Sequence, residues 1–358
     1  MGIVKDRILV INPGATSTKL AVYDGEVALF QKTIEHMTQD LEGFTDVFSQ
    51  YQYRLKLVTQ ILEDKEIAIE TLAAVVGRGG LLKPLEGGTY RVNEEMVEDL
   101  KEAERGEHAS NLGAVIAYNL GKQLDIPAFI VDPVSVDELE PVARISGLAD
   151  LERISLSHAL NMKAVAHKVA GQMGRQYEDL NLIVAHLGTG ISVTPHKEGK
   201  MIDVNNAKAE GPFSPDRCGG LPADQLLNLC FSGKYTYHEL REKLSNKGGL
   251  YSYFQTVDLR QVEAMAQEGN DRADLVLDAL AYQVAKEIGA MATVLMGEVD
   301  RIILTGGIAH SKRIVGDIVK RVKYIAPVDV IPGEEELEAL AFGALRVLRK
   351  EEKAKTYN

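Results

Sequence analysis

One short turn in the chain carries side chains that could bind an anion. In "RILVINPGATSTKLAVYDG", residues 7–25, an apolar run ends at Asn12 and a second apolar run begins after Thr18. Between them, Asn12 and Ser17 offer hydrogen-bond donors without bulk, and Gly14 would let the backbone approach a ligand closely. The pattern favours a phosphate-binding hairpin. The same residue types also build ordinary hairpin turns, so this segment alone leaves both interpretations open.

A second segment repeats this arrangement further along the chain. "LIVAHLGTGISVTPHKEG", residues 182–199, aligns with residues 8–25 at a constant offset of 174 positions and places His186 where the first segment has Asn12. Its turn supplies three further candidate phosphate-binding residues, Gly188, Thr189 and Gly190. Two such tips could hold one polyphosphate between two domains. No GxxxxGK[ST] pattern occurs in the sequence, which excludes a Walker-type phosphate loop.

Another pair of segments indicates that the chain is an internal duplication. "LAAVVGRGG", residues 72–80, and "VDRIILTGG", residues 299–307, are both apolar strands that end in a double glycine. The first turn glycine precedes its double glycine by 65 positions and the second does so by 118, so the second copy carries 53 extra residues. Generic strand and glycine-turn composition could also produce such a match.

The elements that must position these turns are predicted from apolar periodicity. Helical spacing predicts helices over residues 108–125, 157–174, 270–296 and 334–356. Strands that pair first as hairpins and are then separated by helices predict an α/β fold with sheets of mixed direction, and ligands of such sheets bind at the carboxyl ends of the strands. At 358 residues the chain exceeds what one hydrophobic core usually supports, so we expect two domains.

Composition excludes several classes of partner. A formal net charge of −12 argues against nucleic acid and against an anionic membrane surface, although a local basic cleft could still bind a small anion. Cys218 and Cys230 are too few for a disulfide framework, and the opening residues lack the apolar core of a signal peptide. No apolar stretch approaches the ~20 residues that span a bilayer. We therefore expect a reduced, cytoplasmic protein.

Several motifs together resemble one family. The chain contains, in the expected order, "INPGATSTKL", "VVGRGG", "EHASNLGA", "AHLGTGISV", "NNAKAEGPFSPDRCGGLP" and "LTGGIAHS". Over essentially its whole length it resembles the acetate and butyrate kinase family of the actin, heat-shock chaperone and sugar-kinase superfamily. The resemblance implies duplicated ribonuclease-H-like domains of the actin-like ATPase fold, with a cleft between them that binds MgATP. The first domain would comprise residues 1–156 together with residues 338–358, which would form a C-terminal helix that packs back onto this domain. The second, residues 157–337, would carry most of the nucleotide site.

The resemblance also implies an activity. The family transfers phosphate reversibly between ATP and a short-chain carboxylate such as butyrate or isobutyrate, giving ADP and an acyl phosphate by direct in-line transfer. A carboxylate is already ionised at pH 7 and needs no general base. The obstacle is repulsion between two anions, which cations must offset. The implied partners are the fatty acid and its acyl phosphate, and the family commonly forms homo-oligomers.

The family pattern assigns the catalytic groups to four residues of this chain. Arg78 and Arg217 resemble the family's two active-site arginines, and His186 resembles the histidine that hydrogen-bonds the phosphoryl group. Asp132 resembles an aspartate that organises metal or arginine. Guanidinium groups suit carboxylate and phosphoryl oxygens. A loop arginine is nevertheless more often solvated, a histidine at a hairpin end often bonds nearby backbone, and Asp before Pro often starts a turn. These structural interpretations remain open.

The nucleotide and metal residues also follow from the resemblance. The phosphate contacts are expected from Asn12, Gly14, Ser17, Gly188, Thr189 and Gly190. The segment "VDLRQVE" and the turn "TGGIAHS" are expected to contact the rest of the nucleotide through Asp258, Arg260, Gly306, Gly307 and Ile308. Glu336, with Glu335 as the alternative, is expected to help bind Mg²⁺, although acids in a first helical turn also stabilise the helix dipole. Ala15 replaces a hydroxyl residue of the acetate branch, which leaves the contacts of the first tip open.

Two rival functions share some of these features. An actin-like or chaperone-like ATPase switch would have the duplicated hairpins but would not need two arginines acting on a carboxylate. A sugar or polyol kinase would need a carboxylate base to activate a hydroxyl group. The preferred acyl chain length is not predicted, because one methylene contributes only about 0.8 kcal/mol of burial.

Overall fold

The computed structural model describes residues 6–358 and divides them into two compact units. Unit 1 contains residues 6–136 and 335–358, and unit 2 contains residues 137–334. The boundaries predicted from sequence lie at 156/157 and 337/338, so residues 137–156 were expected in the first domain and belong here to unit 2. The first five residues, part of the opening segment in which the sequence predicts no signal peptide, lie outside the described residues.

The described residues form strands and helices in alternation. The strands are β1 (Arg7–Pro13), β2 (Ser17–Asp24), β3 (Val27–Glu35), β4 (Ala74–Gly77), β5 (Thr89–Arg91), β6 (Ala128–Val131), β7 (Leu182–Leu187), β8 (Ile191–Lys197), β9 (Lys200–Met201), β10 (Arg301–Gly306), β11 (Val328–Pro332) and β12 (Lys355–Thr356). The helices are α1 (Thr38–Leu41), α2 (Tyr51–Asp64), α3 (Glu94–Glu102), α4 (Asn111–Leu124), α5 (Pro141–Arg144), α6 (Ala159–Gln172), α7 (Ala223–Cys230), α8 (Tyr237–Ser245), α9 (Gly249–Phe254), α10 (Leu259–Gln267), α11 (Asp271–Val294), α12 (Lys312–Val322) and α13 (Glu336–Leu348).

Unit 1 is built on a seven-stranded sheet in the order β12-β5-β6-β4-β1-β2-β3. The hairpins β1-β2 and β2-β3 are antiparallel, whereas β4 and β6 continue the sheet parallel to β1. Ile8 to Ile11 of β1 are all fully buried, since helices cover a central strand on both faces. Each such side chain contributes roughly 1.5–3 kcal/mol of hydrophobic stabilisation.

Unit 2 repeats the same topology. Its five-stranded sheet has the order β11-β10-β7-β8-β9, with β7-β8 and β8-β9 antiparallel and β10 and β11 parallel to β7. This order matches β6-β4-β1-β2-β3 of unit 1 strand for strand, so the predicted duplication and fold class are confirmed. The segment between β9 and β10 contains the five helices α7 to α11, whereas the corresponding segment between β3 and β4 contains only α1 and α2, so the extra residues of the second copy lie here.

The predicted helices are present, but the C-terminal one is shorter than expected. Periodicity predicted a helix to residue 356, whereas α13 ends at Leu348 and Lys350 has a left-handed φ of 63°. The chain then adds β12 to the edge of the unit 1 sheet, beside β5. Tyr357 anchors this end because its hydroxyl donates to Asp99 at 2.6 Å. Among the helices of residues 6–358, none has the length and apolarity to cross a bilayer.

Candidate active site

The first hairpin tip has the form predicted from its sequence. β1 and β2 are joined by a three-residue turn in which the Gly14 N–H donates to the carbonyl of Ser17 at 2.7 Å. Ala15 and Thr16 are exposed at the tip, whereas the strand residue Asn12 is buried. A Cβ added at Gly14 would meet nothing closer than 3.5 Å. Packing within the chain therefore does not demand glycine here, which favours the interpretation that Gly14 leaves room for a ligand.

The buried carboxylate of Glu336 contacts two cationic side chains of unit 1. Glu336, the first residue of α13, is 5% exposed and accepts from Asn12 Nδ2 at 2.7 Å. Its other oxygen, Oε1, pairs with Arg78 Nη1 at 2.6 Å, and Lys19 Nζ lies 3.7 Å from Oε2, the oxygen that accepts from Asn12. Two cations against one carboxylate leave the cluster with a net positive charge. Asn12, expected to contact phosphate, here donates its amide to Glu336.

Glycines of two elements fix the backbone of Arg78. The Arg78 N–H donates to the carbonyl of Ile11 at 3.0 Å, which extends the pairing of β4 with β1. A Cβ at Gly77 would lie 2.0 Å from the Gly113 carbonyl oxygen, and a Cβ at Gly113 would lie 2.4 Å from the Arg78 carbonyl oxygen. Only glycine at both positions lets the start of α4 pack against this strand end. The Arg78 side chain remains 26% exposed.

Asp132 follows β6 and bonds to backbone of its own unit. Its φ of 38° is left-handed, and its Oδ1 accepts from the Gly88 N–H at 2.6 Å while its own N–H donates to the Gly88 carbonyl at 3.1 Å. These bonds hold the loop before β5 against the end of β6. A non-glycine residue in this conformation stores strain of about 1–3 kcal/mol, which occurs most often near functional sites.

In unit 2, His186 is held by a buried amide. Its Nδ1 lies 2.8 Å from Asn161 Oδ1, which also accepts from the Thr305 hydroxyl at 3.2 Å. Because an amide oxygen only accepts, the His186 Nδ1 carries a proton. Its Nε2 lies 3.1 Å from a carboxylate oxygen of Glu334, and that contact favours a second proton on the ring. His186 is thus arranged as an imidazolium.

The structure adds two residues that the sequence reasoning missed, His158 and Glu334. His158 precedes α6, and its ring lies against that of His186 with centroids 4.4 Å apart. Its Nε2 lies 3.5 Å from Glu334. Hydrogen bonds from His158, and then from His186, hold the pKa of the Glu334 carboxyl far below its usual range. The available signal was topological: the acidic run follows β11, and parallel strands bring their carboxyl ends to one edge.

The same three side chains have the spacing of a cation site. One ligand atom from each of His158, His186 and Glu334 lies within 4.8 Å of the others. However, His158 Nδ1 accepts the N–H of Asn161 at 3.4 Å, which leaves the proton of a neutral ring on Nε2, facing Glu334. The hydrogen bonds therefore favour an ionised carboxylate between two N–H donors rather than a set of metal ligands.

A cavity of about 720 Å³ in unit 2 brings most of the predicted nucleotide residues together. Its volume lies in the range of small-molecule sites. The predicted residues that line it are Gly188, Thr189, Asp258, Arg260, Gly307 and Ile308. The unpredicted ones are Pro215, Val257, Leu259, Glu263, His310, Ser311 and Glu334. A Cβ at Gly307 would meet nothing within 4 Å, so here too the chain's own packing does not require glycine.

Two predicted glycines act through neighbouring residues instead of lining the cavity. A Cβ at Gly190 would lie 2.3 Å from Arg217 Nη1, so the glycine makes room for that guanidinium beside the second hairpin tip. The Arg217 side chain is 25% exposed, and the backbone N–H of Arg217 donates to the Ser214 hydroxyl at 3.2 Å. Gly306 has a φ of 89°, and a Cβ there would lie 2.6 Å from the Leu187 carbonyl oxygen.

Asp258 and Arg260 form one unit at the start of α10. The Asp258 carboxylate caps the helix by accepting the Arg260 N–H at 3.0 Å and also accepts the guanidinium through Nε at 2.9 Å and Nη2 at 2.7 Å. This pairing lowers the pKa of Asp258. The Arg260 side chain is 88% exposed and contributes to the lining of the cavity.

The chain matches known proteins in both sequence and structure. The sequence profile of the Acetokinase family matches residues 155–336. Butyrate kinase 1 of Clostridium acetobutylicum is 53% identical over 352 residues, which cover 98% of this chain and 99% of that protein. Acetate kinase of Porphyromonas gingivalis, at 17% identity, has a TM-score of 0.78 and covers 96% of this chain and 99% of its own. Propionate kinase of Francisella tularensis, at 17% identity, has a TM-score of 0.72 with 94% and 98% covered.

The structural matches establish the fold, and the sequence match establishes the family. The solved structures share the fold of this chain, with two domains of the actin-like ATPase type. The identity to a curated kinase extends over nearly the whole length of both proteins. On that ground the chain belongs to the acetokinase family.

Proposed function

We propose that this enzyme is a butyrate kinase, which transfers the γ-phosphoryl group of ATP reversibly to butyrate or a close short-chain acid. The products are ADP and an acyl phosphate. The observation that carries the proposal is the unit 2 cavity, lined by two glycine-rich strand ends and by Glu334, whose carboxylate is bonded to His186. The 53% identity to Butyrate kinase 1 supports the choice of substrate.

The nucleotide occupies this cavity in our proposal. Gly307 and Ile308 lie against the adenosine part, because a glycine without internal packing contacts lets a flat base rest on backbone. Arg260, largely exposed and paired with Asp258, reaches the sugar or the phosphates. The turn Gly188–Gly190 receives the phosphates that remain on ADP, and Gly190 makes room for the guanidinium of Arg217, which acts on the transferred phosphoryl group.

The reaction itself needs charge screening more than covalent help. The attacking oxygen belongs to an ionised carboxylate, so no residue has to remove a proton. Two unit charges 4 Å apart repel by about 4 kcal/mol at an effective dielectric constant near 20. We assign the cations that offset this repulsion to Arg78, Arg217 and the imidazolium of His186. Because they screen charge and transfer no proton, they serve the forward and the reverse reaction equally. Asp132 acts by holding the loop at Gly88 in place.

Magnesium is part of the proposal because ATP is the donor. Both oxygens of Glu336 are already engaged, by Arg78 and by Asn12, so direct ligation would compete with these contacts. Mg²⁺ commonly keeps several waters and takes only one or two carboxylates. Glu336 therefore fits a contact through water, with Glu335 beside it. When bound, Mg²⁺ would neutralise phosphate charge.

Assembly and location complete the proposal. We propose a homo-oligomer, supported by five apolar side chains that are 57–76% exposed along one segment of unit 2: Val142, Ile145, Leu148, Leu151 and Ile154. Sedimentation velocity of the purified protein tests this. A cytoplasmic location is supported by the use of ATP and by Cys218 and Cys230, both free thiols.

Trapping of the product tests the proposed reaction. Protein incubated with MgATP, butyrate and hydroxylamine should yield butyryl hydroxamate, because hydroxylamine captures an acyl phosphate. ATP hydrolysis without hydroxamate above the acid-free control would support an ATPase switch instead. Phosphorylation of glycerol or a hexose in preference to any short acid would support a sugar or polyol kinase.

A series of acids then defines the substrate. Acetate, propionate, butyrate and isobutyrate at fixed ATP should give kcat/KM values that peak at butyrate or isobutyrate. Differences between neighbouring acids should be modest, because burial of one methylene contributes only about 0.8 kcal/mol, or roughly fourfold in kcat/KM.

A further inference from the structure

A buried arginine lies under the first hairpin tip. Arg54, in the first turn of α2, is 1% exposed and was not predicted as a site residue. Its guanidinium donates to three carbonyl oxygens of the tip and to two side chains. The acceptors are the carbonyls of Gly14 at 3.0 Å, Ala15 at 3.3 Å and Ser17 at 3.1 Å, the hydroxyl of Thr18 at 2.9 Å and Gln50 Oε1 at 2.8 Å.

The charge of Arg54 has no carboxylate partner within the part of the chain that the structure describes. All its acceptors are neutral, and burial lowers its pKa, yet a guanidinium stays protonated at pH 7. Buried charges are otherwise almost always paired. The hairpin tip therefore lies over an uncompensated positive charge, an arrangement that attracts an anion.

The hydrogen bonds of Arg54 also orient the peptide groups of the tip. No peptide bond among residues 6–358 is cis. In a planar trans peptide the N–H points opposite to the C=O of the same unit. Since the carbonyls of Gly14 and Ala15 point towards Arg54, the N–H groups of Ala15 and Thr16 point away from it. Both residues are exposed, and within residues 6–358 neither N–H donates to a protein acceptor.

We propose that Arg54 is a positioning residue that shapes this tip into an anion site for the phosphoryl group being transferred. The consecutive N–H groups of Ala15 and Thr16 are the donors, as in other backbone anion sites. The alanine at position 15 then costs no essential contact, because the site uses backbone and not a hydroxyl. The inference rests on the proposed function.

The tip is assigned to the transferred group and not to the rest of the nucleotide for one reason. The cavity with the predicted nucleotide residues belongs to unit 2, whereas the tip shares unit 1 with Arg78 and Lys19. The ligands that bring the transferred phosphoryl group are ATP in one direction and the acyl phosphate in the other. ADP and butyrate lack it.

The test compares these two classes of ligand in Arg54→Met and Arg54→Lys. For Arg54→Met we expect kcat/KM for ATP and for butyryl phosphate to fall about tenfold or more, the loss typical of hydrogen bonds to a charged group. The Kd of ADP should change by less than about twofold, because ADP lacks the transferred phosphoryl group. Arg54→Lys should recover part of the loss, because it restores the charge without the fork of donors. The control is Lys56→Met, which removes an exposed charge from the same helix and should match wild type.

Two results would overturn the inference. One is an Arg54→Met enzyme with wild-type kcat/KM for both phosphoryl donors. The other is a loss that lowers the amount of active enzyme and its Tm while every KM and the ADP affinity stay at the wild-type values, since that marks a merely structural arginine. If Arg54→Met does not fold, Arg54→Lys must show the same split between ligands. Wild-type hydroxamate formation is measured separately, so a wrong reaction and a wrong role for Arg54 remain distinguishable.

Discussion

At the scale of single residues, the two hairpin ends use the same position differently. Asn12 and His186 occupy equivalent places at the ends of β1 and β7. Asn12 donates to the buried carboxylate of Glu336, whereas His186 faces Glu334 with its proton-bearing Nε2. Each contact joins a residue near the end of a strand to an acid of residues 334–336, which follow β11. The difference places a neutral donor in unit 1 and a cation in unit 2.

Replacement of Arg217 tests the assignment of the screening cations. In Arg217→Ala we expect kcat to fall by about 10²–10³, the range for loss of one preorganised charge-stabilising group. The Kd of ADP, measured by calorimetry, should stay close to wild type, since ADP lacks the transferred group. Arg272→Ala, which removes an exposed arginine of the same unit, serves as the control. A kcat within twofold of wild type would contradict the assignment.

At the scale of elements, the room for a Cβ distinguishes glycines that packing requires from glycines that line the cavity. Gly77 and Gly113 have no room for a Cβ, because α4 packs directly on the end of β4. Gly307, in contrast, lines the cavity with nothing within 4 Å of a Cβ. An alanine is therefore excluded by the fold at the first two positions and permitted by it at the third. Any cost at Gly307 must come from a ligand.

Gly307→Ala turns this contrast into a measurement. We expect a free energy of unfolding within about 0.5 kcal/mol of wild type, as for substitutions without packing consequences. The KM for ATP should rise severalfold, because the methyl group enters the nucleotide cavity. Gly171→Ala, also without atoms near its Cβ but outside the cavity, should leave the KM for ATP unchanged, although alanine within α6 raises the free energy of unfolding by up to about 1 kcal/mol. An unchanged KM in Gly307→Ala would remove the cavity from the nucleotide site.

At the scale of the whole molecule, stability also depends on a buried polar group that the proposed chemistry does not use. His196 of β8 is fully buried, with its ring nitrogens 2.6 Å from the hydroxyls of Tyr177 and Thr194. Burial, with the nearby charges of Lys163 and His167, lowers the pKa of His196 well below its usual value. The folded state therefore requires a neutral ring at this position.

The sign of the resulting pH dependence follows from linkage. Because the unfolded chain binds the proton more readily, the contribution of His196 is complete above about pH 6.5 and is lost progressively as the pH falls below it. Urea unfolding from pH 8 to pH 5 should show this decline. In His196→Gln the corresponding part of the decline should be absent, whereas His238→Gln, at an exposed site, should keep the wild-type slope. Equal slopes in all three proteins would contradict the prediction.

Much of this protein was determined by local sequence alone. The alternation of hairpins, helices and double-glycine strands predicted the duplication, because apolar periodicity and turn residues act over a few neighbours and survive in each copy. The turn glycines and the order of the motifs were sufficient to predict the family. The end of α13 was not predicted, since β12 is stabilised by pairing with β5, a partner over 260 residues away in the chain.

The partners of charged groups were decided only by tertiary structure. Nothing in the sequence pairs Glu334 with His158 and His186, or places Arg54 under the tip of a hairpin, where Thr18 lies 36 residues earlier in the chain. Such contacts join residues from distant segments, and a charge has no periodicity to reveal its partner. Burial then fixes the energetic meaning of each charge, because only the folded chain determines which groups lose water and which acceptors replace it.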